Sequence, residues 1–359
     1  MRAAVAYEPG TPLVIEELPT PDVGPRDVLV RVTASGICHT DVTSMRREQR
    51  TDPLVPGHEA CGVVEAAGAE VRRVAVGDRV LASVTPACGT CWWCVNEMSH
   101  HCERGPLRYR PRLGLPDGRM AVRLCGCGSF ADMMVVDESS VVTVETGLPD
   151  DQLALLGCGV TTGLGAVFHT AGVQPGDSVA VIGCGGVGQA VIQGARIAGA
   201  STIIAVDPSA GRRDGSKGVG ATHTFDPADG DPVLLARDLT HGRGVDHAFE
   251  VVGMPDLMLQ AFHMARAEGS VSLIGMPHTM DAILPLPAMQ VLASGKRIRG
   301  SVAGGSQILR DFPRYLRLAE TGQLDLASMV SRRITLDQVN DGIRLLDQAD
   351  GVRSVIVPS

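Results

Sequence analysis

Over the first 150 residues the apolar positions come in short runs, VLVRV at 28–32, GVVEA at 62–66 and DRVLAS at 78–83, separated by glycine, proline and polar turn residues. Runs of that length between turn signals predict an irregular β domain. From about Gly157 the pattern changes. Apolar runs at VAVIG (179–183), IIAV (203–206) and VSLIG (271–275) alternate with helical spacing, which predicts a parallel, doubly wound sheet. Val187, Ala190, Val191, Gly194, Ala195 and Ala198 recur at three- and four-residue intervals and give the first crossover helix one small apolar face. The next helix by position, SAGRRDGSKGVGAT, is weak, since Gly211, Gly215 and Gly218 each cost about 1 kcal/mol against alanine. After about Arg299 the alternation stops, and the terminal SVIV is a run suited to returning as a strand to the first domain. The expected boundaries are 1–157, 158–299 and a return over 300–359.

Length agrees with two domains, because 359 residues exceed one ordinary core. Apolar residues make up 44% and charged residues 20%, and no run of about 18 apolar residues offers a membrane span. A formal charge of -8 without a basic block argues against nucleic acid as a partner. The amino terminus meets Glu8 and Pro9 before an apolar signal region develops, so a cytoplasmic protein is expected. Ten unevenly spaced cysteines in a chain of this size do not look like a disulfide framework, and metal ligation becomes the leading reading.

CGTCWWCVNEMSHHC, residues 88–102, has the spacing CxxCxxCx7C. Four thiolates close a tetrahedron around zinc and leave no open position, which is a structural site. Cys88, Cys91, Cys94 and Cys102 are its candidate ligands; the alternatives are buried or redox-active thiols, or a four-cysteine ribbon of an RNA-associated protein, which the acidic balance disfavours. Trp92 and Trp93 are expected to pack over the loop or at a subunit contact. Elsewhere GICHTD (36–41), GHEACGVVEAAG (57–68) and LLGCGVTTG (155–163) each hold one good zinc ligand, Cys38, His58 and Cys158. Two thiolates and one imidazole leave the fourth position open, as a catalytic zinc requires.

The stretch VAVIGCGGVGQAVIQGARIAGA contains GxGxxG as Gly183, Gly185 and Gly188, with Gly186 and Val187 between them, after an expected strand and opening an expected helix. Those glycines permit a tight turn and close approach of a pyrophosphate to the helix amino terminus. Asp207 follows Gly188 by nineteen residues; a carboxylate there accepts from the ribose 2′-hydroxyl and repels a 2′-phosphate, so NAD is favoured over NADP. The alternative for Asp207 is a helix cap before Pro208. Arg212 and Arg213 leave the phosphate question open, since an arginine after the acidic residue serves either nucleotide.

With these motifs in this order, the chain resembles the zinc-dependent alcohol dehydrogenases of the medium-chain dehydrogenase/reductase family over essentially its whole length. GHEACGVVEAAG matches the family's GHExxGxVxxxG throughout, and GICHTD and LLGCGVTTG are most similar to the class III branch with the thiol-dependent formaldehyde dehydrogenases. The resemblance implies a GroES-like irregular β catalytic domain, a Rossmann coenzyme domain, a structural zinc lobe at about 86–104, and a catalytic zinc on Cys38, His58 and Cys158, with Glu59 close to the metal and Asp41 behind His58. It implies Arg212 as an NAD contact, His39 and Arg353 as pyrophosphate contacts, Thr162 beside the nicotinamide, and Thr40 as the hydroxyl that takes the alcohol proton. The family's relay histidine is absent, and Thr43 stands in its place. The expected activity is reversible hydride transfer between a primary alcohol or aldehyde and NAD with two zincs per chain, in a homodimer or homotetramer. The rivals are a hemithioacetal-oxidising formaldehyde dehydrogenase, for which Arg104, Arg108, Arg110, Arg112 and Arg119 offer anion contacts if they are not simply a solvated loop, and more remotely a noncatalytic nucleotide-binding sensor. Cys61, Cys125, Cys127 and Cys184 fall outside both zinc sets and are expected to be buried.

Overall fold

The computed structural model describes residues 1–105, 113–277, 279 and 281–358. They form two compact units, one of Met1–Gly159, Gln307–Gly322 and the chain from Leu326, the other of Val160–Ser306 with Gln323–Asp325.

In the first unit, strand Asp27–Gly36 alternates, burying Val28, Val30 and Val32 against Ala60, Val64, Val80, Met134 and Val141 of neighbouring strands. It is the centre of a seven-stranded sheet. Glu59–Ala67 runs antiparallel along one edge, followed by Arg79–Ala82 and Val141–Thr143. The other edge is shared: Met133–Asp137 pairs with its first half, and Arg353–Ile356 with Ser35 and Gly36. SVIV thus lies in the first unit, where Arg353–Ile356 also pairs in parallel with Val330–Ile334. This register sets Gly36 between Glu59 and Val355. A second apolar cluster, including Ile37, Val42, Met45, Val339, Ile343 and Ile356, packs helices His39–Arg46 and Val339–Asp347 onto that end of the sheet.

The second unit is a six-stranded, all-parallel sheet in the order His223–Phe225, Thr202–Val206, Ser178–Ile182, Val245–Glu250, Ala265–Leu273, Arg297–Gly300. All five residues of Ser178–Ile182 are buried because both faces are covered. Val179 and Val181 meet Val191, Ile192 and Ala195 of helix Gly186–Ile197, while Ala180 and Ile182 meet Ala261 and Phe262 from the opposite layer. The glycine-bearing segment forms the helix Ala210–Val219, capped where Ser209 Oγ accepts from Arg212 N and ended at Gly220 (φ 124). The order reverses between Ser178–Ile182 and Val245–Glu250, which places a ligand crevice outside the carboxyl ends of those strands.

Candidate active site

Cys38 follows strand Asp27–Gly36 and opens helix His39–Arg46. Its N–H donates to Asp41 Oδ2 at 2.9 Å, while Asp41 Oδ1 accepts from Gly57 N at 2.8 Å and lies 2.9 Å from His58 Nδ1. Asp41 and His58 are both fully buried. An ionised carboxylate only accepts, so His58 presents Nδ1–H to Asp41 and leaves the Nε2 lone pair facing the other way. That buried Nε2 has no hydrogen-bond partner. Cys158 reaches the same place from the short helix Ala154–Gly157. Gly157 permits this approach, since a Cβ there would sit 2.8 Å from the Ala82 carbonyl oxygen and 3.2 Å from Glu59 Cα.

The ligand atoms of Cys38, His58, Glu59 and Cys158 all lie within 4.8 Å of one another. The Cys158 thiol hydrogen-bonds Cys38 and, together with the Arg353 guanidinium, holds it well below the usual thiol range against the cost of burial. Burial pushes the Glu59 carboxyl up to about 7 despite Arg353 beside it. Glu59 Oε1 accepts from Gly159 N at 3.0 Å and from Arg353 Nη2 at 3.1 Å, whereas Oε2 has no hydrogen-bond partner. Arg353 is itself buried and also donates to the Ile37 carbonyl at 2.9 Å. Two thiols, an outward-facing imidazole nitrogen and a carboxylate are a donor set that zinc accepts.

Cys88, Cys91, Cys94 and Cys102 also gather within 4.8 Å. Backbone amides point at the sulfurs: Thr90 N and Cys91 N lie 3.5 and 3.4 Å from Cys88 Sγ, and Cys88 N lies 3.4 Å from Cys102 Sγ. Burial works against the Cys88 thiolate, but the Thr90 amide and hydroxyl and the Cys91 amide bring its pKa down to about 6. Four soft donors braced by amides fit a second zinc. Trp92 is exposed, and Trp93 meets it edge-on at 4.9 Å and lies 5.3 Å from His101.

In the second unit, the loop from Gly183 to Gly188 connects Ser178–Ile182 to helix Gly186–Ile197, with Gly185 at its cap and Val187 in its first turn. Gly183 has φ 94, and a Cβ on Gly188 would collide with the Gly183 carbonyl oxygen. Asp207 is buried; Oδ2 accepts from Cys184 N and Oδ1 from Ser209 N, both at 2.8 Å. It therefore braces the glycine loop, and Ser209, not Asp207, caps the following helix. The two arginines separate: Arg213 is engaged by Asp226 at 2.8 Å and by the Asp207 carbonyl at 2.7 Å, while Arg212 Nη1 lies 4.0 Å from Asp207 Oδ2.

Of the other expected site residues, His39 is exposed and Thr40 and Thr43 are half-buried on helix His39–Arg46, in the first unit with Arg353. Thr162 is buried on helix Gly159–Gly165 of the second unit. Arg108, Arg110 and Arg112 lie outside the described residues. Arg104 is exposed, and Arg119 is engaged by Asp117 at 2.8 Å and Glu8 at 3.3 Å. Cys61, Cys125, Cys127 and Cys184 are buried, and burial pushes Cys61 and Cys184 up to about 12, which makes them poor nucleophiles. Sequence reasoning did not single out Gly36, Gly157 and Gly159, nor the Glu59–Arg353 pair; a glycine within two residues of each candidate cysteine, as in GIC and GCG, was the available signal.

Comparison with known proteins agrees with this geometry. Residues 24–146 match the alcohol dehydrogenase GroES-like domain and residues 186–321 the zinc-binding dehydrogenase domain. The chain is 36% identical to an S-(hydroxymethyl)glutathione dehydrogenase of Synechocystis sp., with 99% of each chain covered. It is 34% identical to an NDMA-dependent alcohol dehydrogenase of Amycolatopsis methanolica, covering 100% of this chain and 99% of that one. The crystal structure of benzyl alcohol dehydrogenase from Acinetobacter calcoaceticus superposes with a TM-score of 0.92 at 29% identity, covering 100% of this chain and 99% of that one. The GroES-like and Rossmann units, the two zinc-type donor sets and the nucleotide loop together show that the chain belongs to the zinc-dependent alcohol dehydrogenases of the medium-chain dehydrogenase/reductase family, near its class III branch, and is an oxidoreductase using a nicotinamide dinucleotide and two zincs.

Proposed function

We propose that the protein transfers hydride reversibly between a primary alcohol and its aldehyde, with NAD as carrier. The observation that carries this reading is the buried pair of thiols with one imidazole whose Nε2 has no partner, because three such donors leave a tetrahedral zinc one open position. Cys38, His58 and Cys158 hold that ion, with Glu59 alongside, and Cys88, Cys91, Cys94 and Cys102 hold a structural one. Zinc bound at the open site supplies a Lewis acid that lowers the pKa of an alcohol, and the dinucleotide supplies the hydride acceptor.

The chain's own residues do the rest. Asp41 holds the His58 tautomer. The Thr40 hydroxyl takes the alcohol proton as it passes its own outward, by Thr43, three residues on along the same helix, by water or by another route. Gly183, Gly185, Gly186, Val187 and Gly188 take the pyrophosphate at a helix amino terminus, with Thr162 of the same unit at the nicotinamide. Asp207 receives the adenosine ribose, with Arg212 beside it, which favours NAD over NADP.

A second substrate reading, the hemithioacetal of formaldehyde and a low-molecular-weight thiol, is favoured by the 36% identical S-(hydroxymethyl)glutathione dehydrogenase. We also infer a cytoplasmic homodimer or homotetramer. Ten cysteines outside any disulfide suit a reducing compartment, and the open sheet edge at Arg297–Gly300 with exposed Met289 and Leu292 nearby in the chain supports association. No single helix among the described residues is long and apolar enough to cross a membrane.

The deciding experiment measures zinc per chain in wild type and Cys38→Ser, and NAD reduction with a panel of primary alcohols and with formaldehyde, each with and without glutathione. Two zincs falling to one, with activity lost and the fold kept, is the expected result. One zinc in the wild type, unchanged by the substitution, would remove the catalytic metal. Formaldehyde turnover that appears only with glutathione would move the second reading to the front.

A further inference from the structure

Glu250 ends strand Val245–Glu250, opposite Ile182, where the strand order reverses. It is fully buried, a costly place for a carboxyl unless its oxygens are used. Oε1 accepts from Val252 N at 2.8 Å and Gly253 N at 2.6 Å, while Oε2 has no hydrogen-bond partner. What this side chain does is therefore done to the turn that follows it. That turn is packed backbone against backbone. A Cβ on Gly275 would collide with Gly253 N, and one on Gly253 with the Met276 carbonyl oxygen. The Glu250 carbonyl in turn accepts from Ile274 N at 2.8 Å and Gly275 N at 3.1 Å. Fixed from both sides, half-exposed Val252 lies against the first glycine of the nucleotide loop: a Cβ on Gly183 would sit 2.6 Å from Val252 Cγ2. Asp207 follows the strand Thr202–Val206 on the opposite flank of Ser178–Ile182. A dinucleotide crossing the glycine loop with its adenosine ribose at Asp207 thus puts its nicotinamide half on the Glu250 flank.

We propose that Glu250 is a positioning residue for the nicotinamide half of the cofactor, holding Val252 as the apolar wall beside Gly183. This rests on the NAD reading above. The test is fluorescence titration of NADH, and calorimetric titration of ADP-ribose, which lacks the nicotinamide, into wild type, Glu250→Gln, Glu250→Ala and Val252→Gly, with KM and kcat measured alongside. Glutamine keeps an oxygen for the two amides, alanine does not, and Val252→Gly removes the wall while leaving the carboxyl in place. The NADH Kd and the KM for NAD should rise about tenfold in Glu250→Ala and Val252→Gly and stay within about twofold in Glu250→Gln, with the Kd for ADP-ribose unchanged. Wild-type NADH affinity in Glu250→Ala or in Val252→Gly, or equal weakening of ADP-ribose, overturns the proposal, and the Val252 variant can still overturn it if Glu250→Ala does not fold. A wild type that does not bind NADH would sink the NAD reading instead.

Discussion

Asp41→Asn is the substitution that most directly tests how the protein prepares His58. The carboxylate serves three groups at once: Cys38 N on Oδ2, and Gly57 N with His58 Nδ1 on Oδ1. Asparagine offers one acceptor and one donor, so it cannot serve all three. If its oxygen faces His58, its NH2 confronts the Cys38 amide; if it is turned round, the NH2 confronts Gly57 N and drives His58 to the tautomer protonated on Nε2, the atom that must be free to bind metal. Either orientation leaves at least one buried donor unsatisfied, at about 1–3 kcal/mol. Loss of a partner that orients a metal-binding histidine lowers metal affinity by about 10–100-fold, which is about 1.4–2.8 kcal/mol and agrees with the hydrogen-bond figure. Competition with a chromophoric chelator should show one of the two zincs leaving at 10–100-fold lower chelator concentration, with kcat/KM for the alcohol falling by a similar factor and the other zinc unchanged. Two zincs held as in the wild type, with kcat/KM within about twofold, would refute the idea that Asp41 sets the tautomer.

Three further outcomes are expected. Both tryptophans of the chain lie between Cys91 and Cys94, so Cys102→Ser should release the structural zinc and shift emission excited at 295 nm, whereas Cys38→Ser should leave that emission unchanged. Asp207→Ala should raise the KM for NAD by about tenfold or more, while the KM for NADP rises less or falls; equal losses with both would show that Asp207 only braces the Cys184 amide. Burial pushes the Asp246 carboxyl up, but donors from Ser178 and Arg266 outweigh it and hold the pKa at about 2 against an ordinary 3.8. Between those values the unfolded chain binds the proton and the folded chain does not, so this stabilisation is present above pH 3.8 and fades as pH falls toward 2. Discounted for partial exposure it is worth about 1–2 kcal/mol, and the gap in urea unfolding free energy between wild type and Asp246→Asn should narrow across that window.

The elements that were legible in sequence were those whose stability is local. Ser178–Ile182 and Thr202–Val206 read as strands because their runs VAVI (179–182) and IIAV (203–206) are apolar throughout and buried on both faces. Val245–Glu250 did not, since VDHAFE carries Asp246 and His247 in its middle. Its polar groups are met by partners far away in the chain: half-buried Asp246 accepts from Ser178 and Arg266, and buried His247 lies between Ser270 Oγ at 2.7 Å and Asp177 Oδ2 at 2.9 Å. Helix Ala210–Val219 forms despite three glycines because Ser209 caps it and Ser216 and Val219 are buried in the fold. Propensity alone sees the cost and not the packing.

The same division runs through the site. The four-cysteine lobe is closed by residues within one short segment, so spacing alone identified it. Cys38, His58 and Cys158 obey no spacing rule; donor chemistry and the resemblance suggested the set, and pairing of Gly36 with Glu59 is what joins the first two. The Glu59–Arg353 contact joins residues 294 apart and had no local signature at all. What the chain does carry is a set of missing side chains. A Cβ on Gly36 would collide with Glu59 Oε2, and one on Gly159 would stand 2.6 Å from Arg353 Nη2 and 3.1 Å from Glu59 Oε1. These glycines clear the space in which a buried carboxylate and a buried guanidinium meet behind two thiols and an imidazole. In GIC and GCG the glycine one or two residues from the cysteine is therefore as much a statement about the site as the cysteine, and it becomes readable only once the sheet register shows what the absent methyl group would have touched.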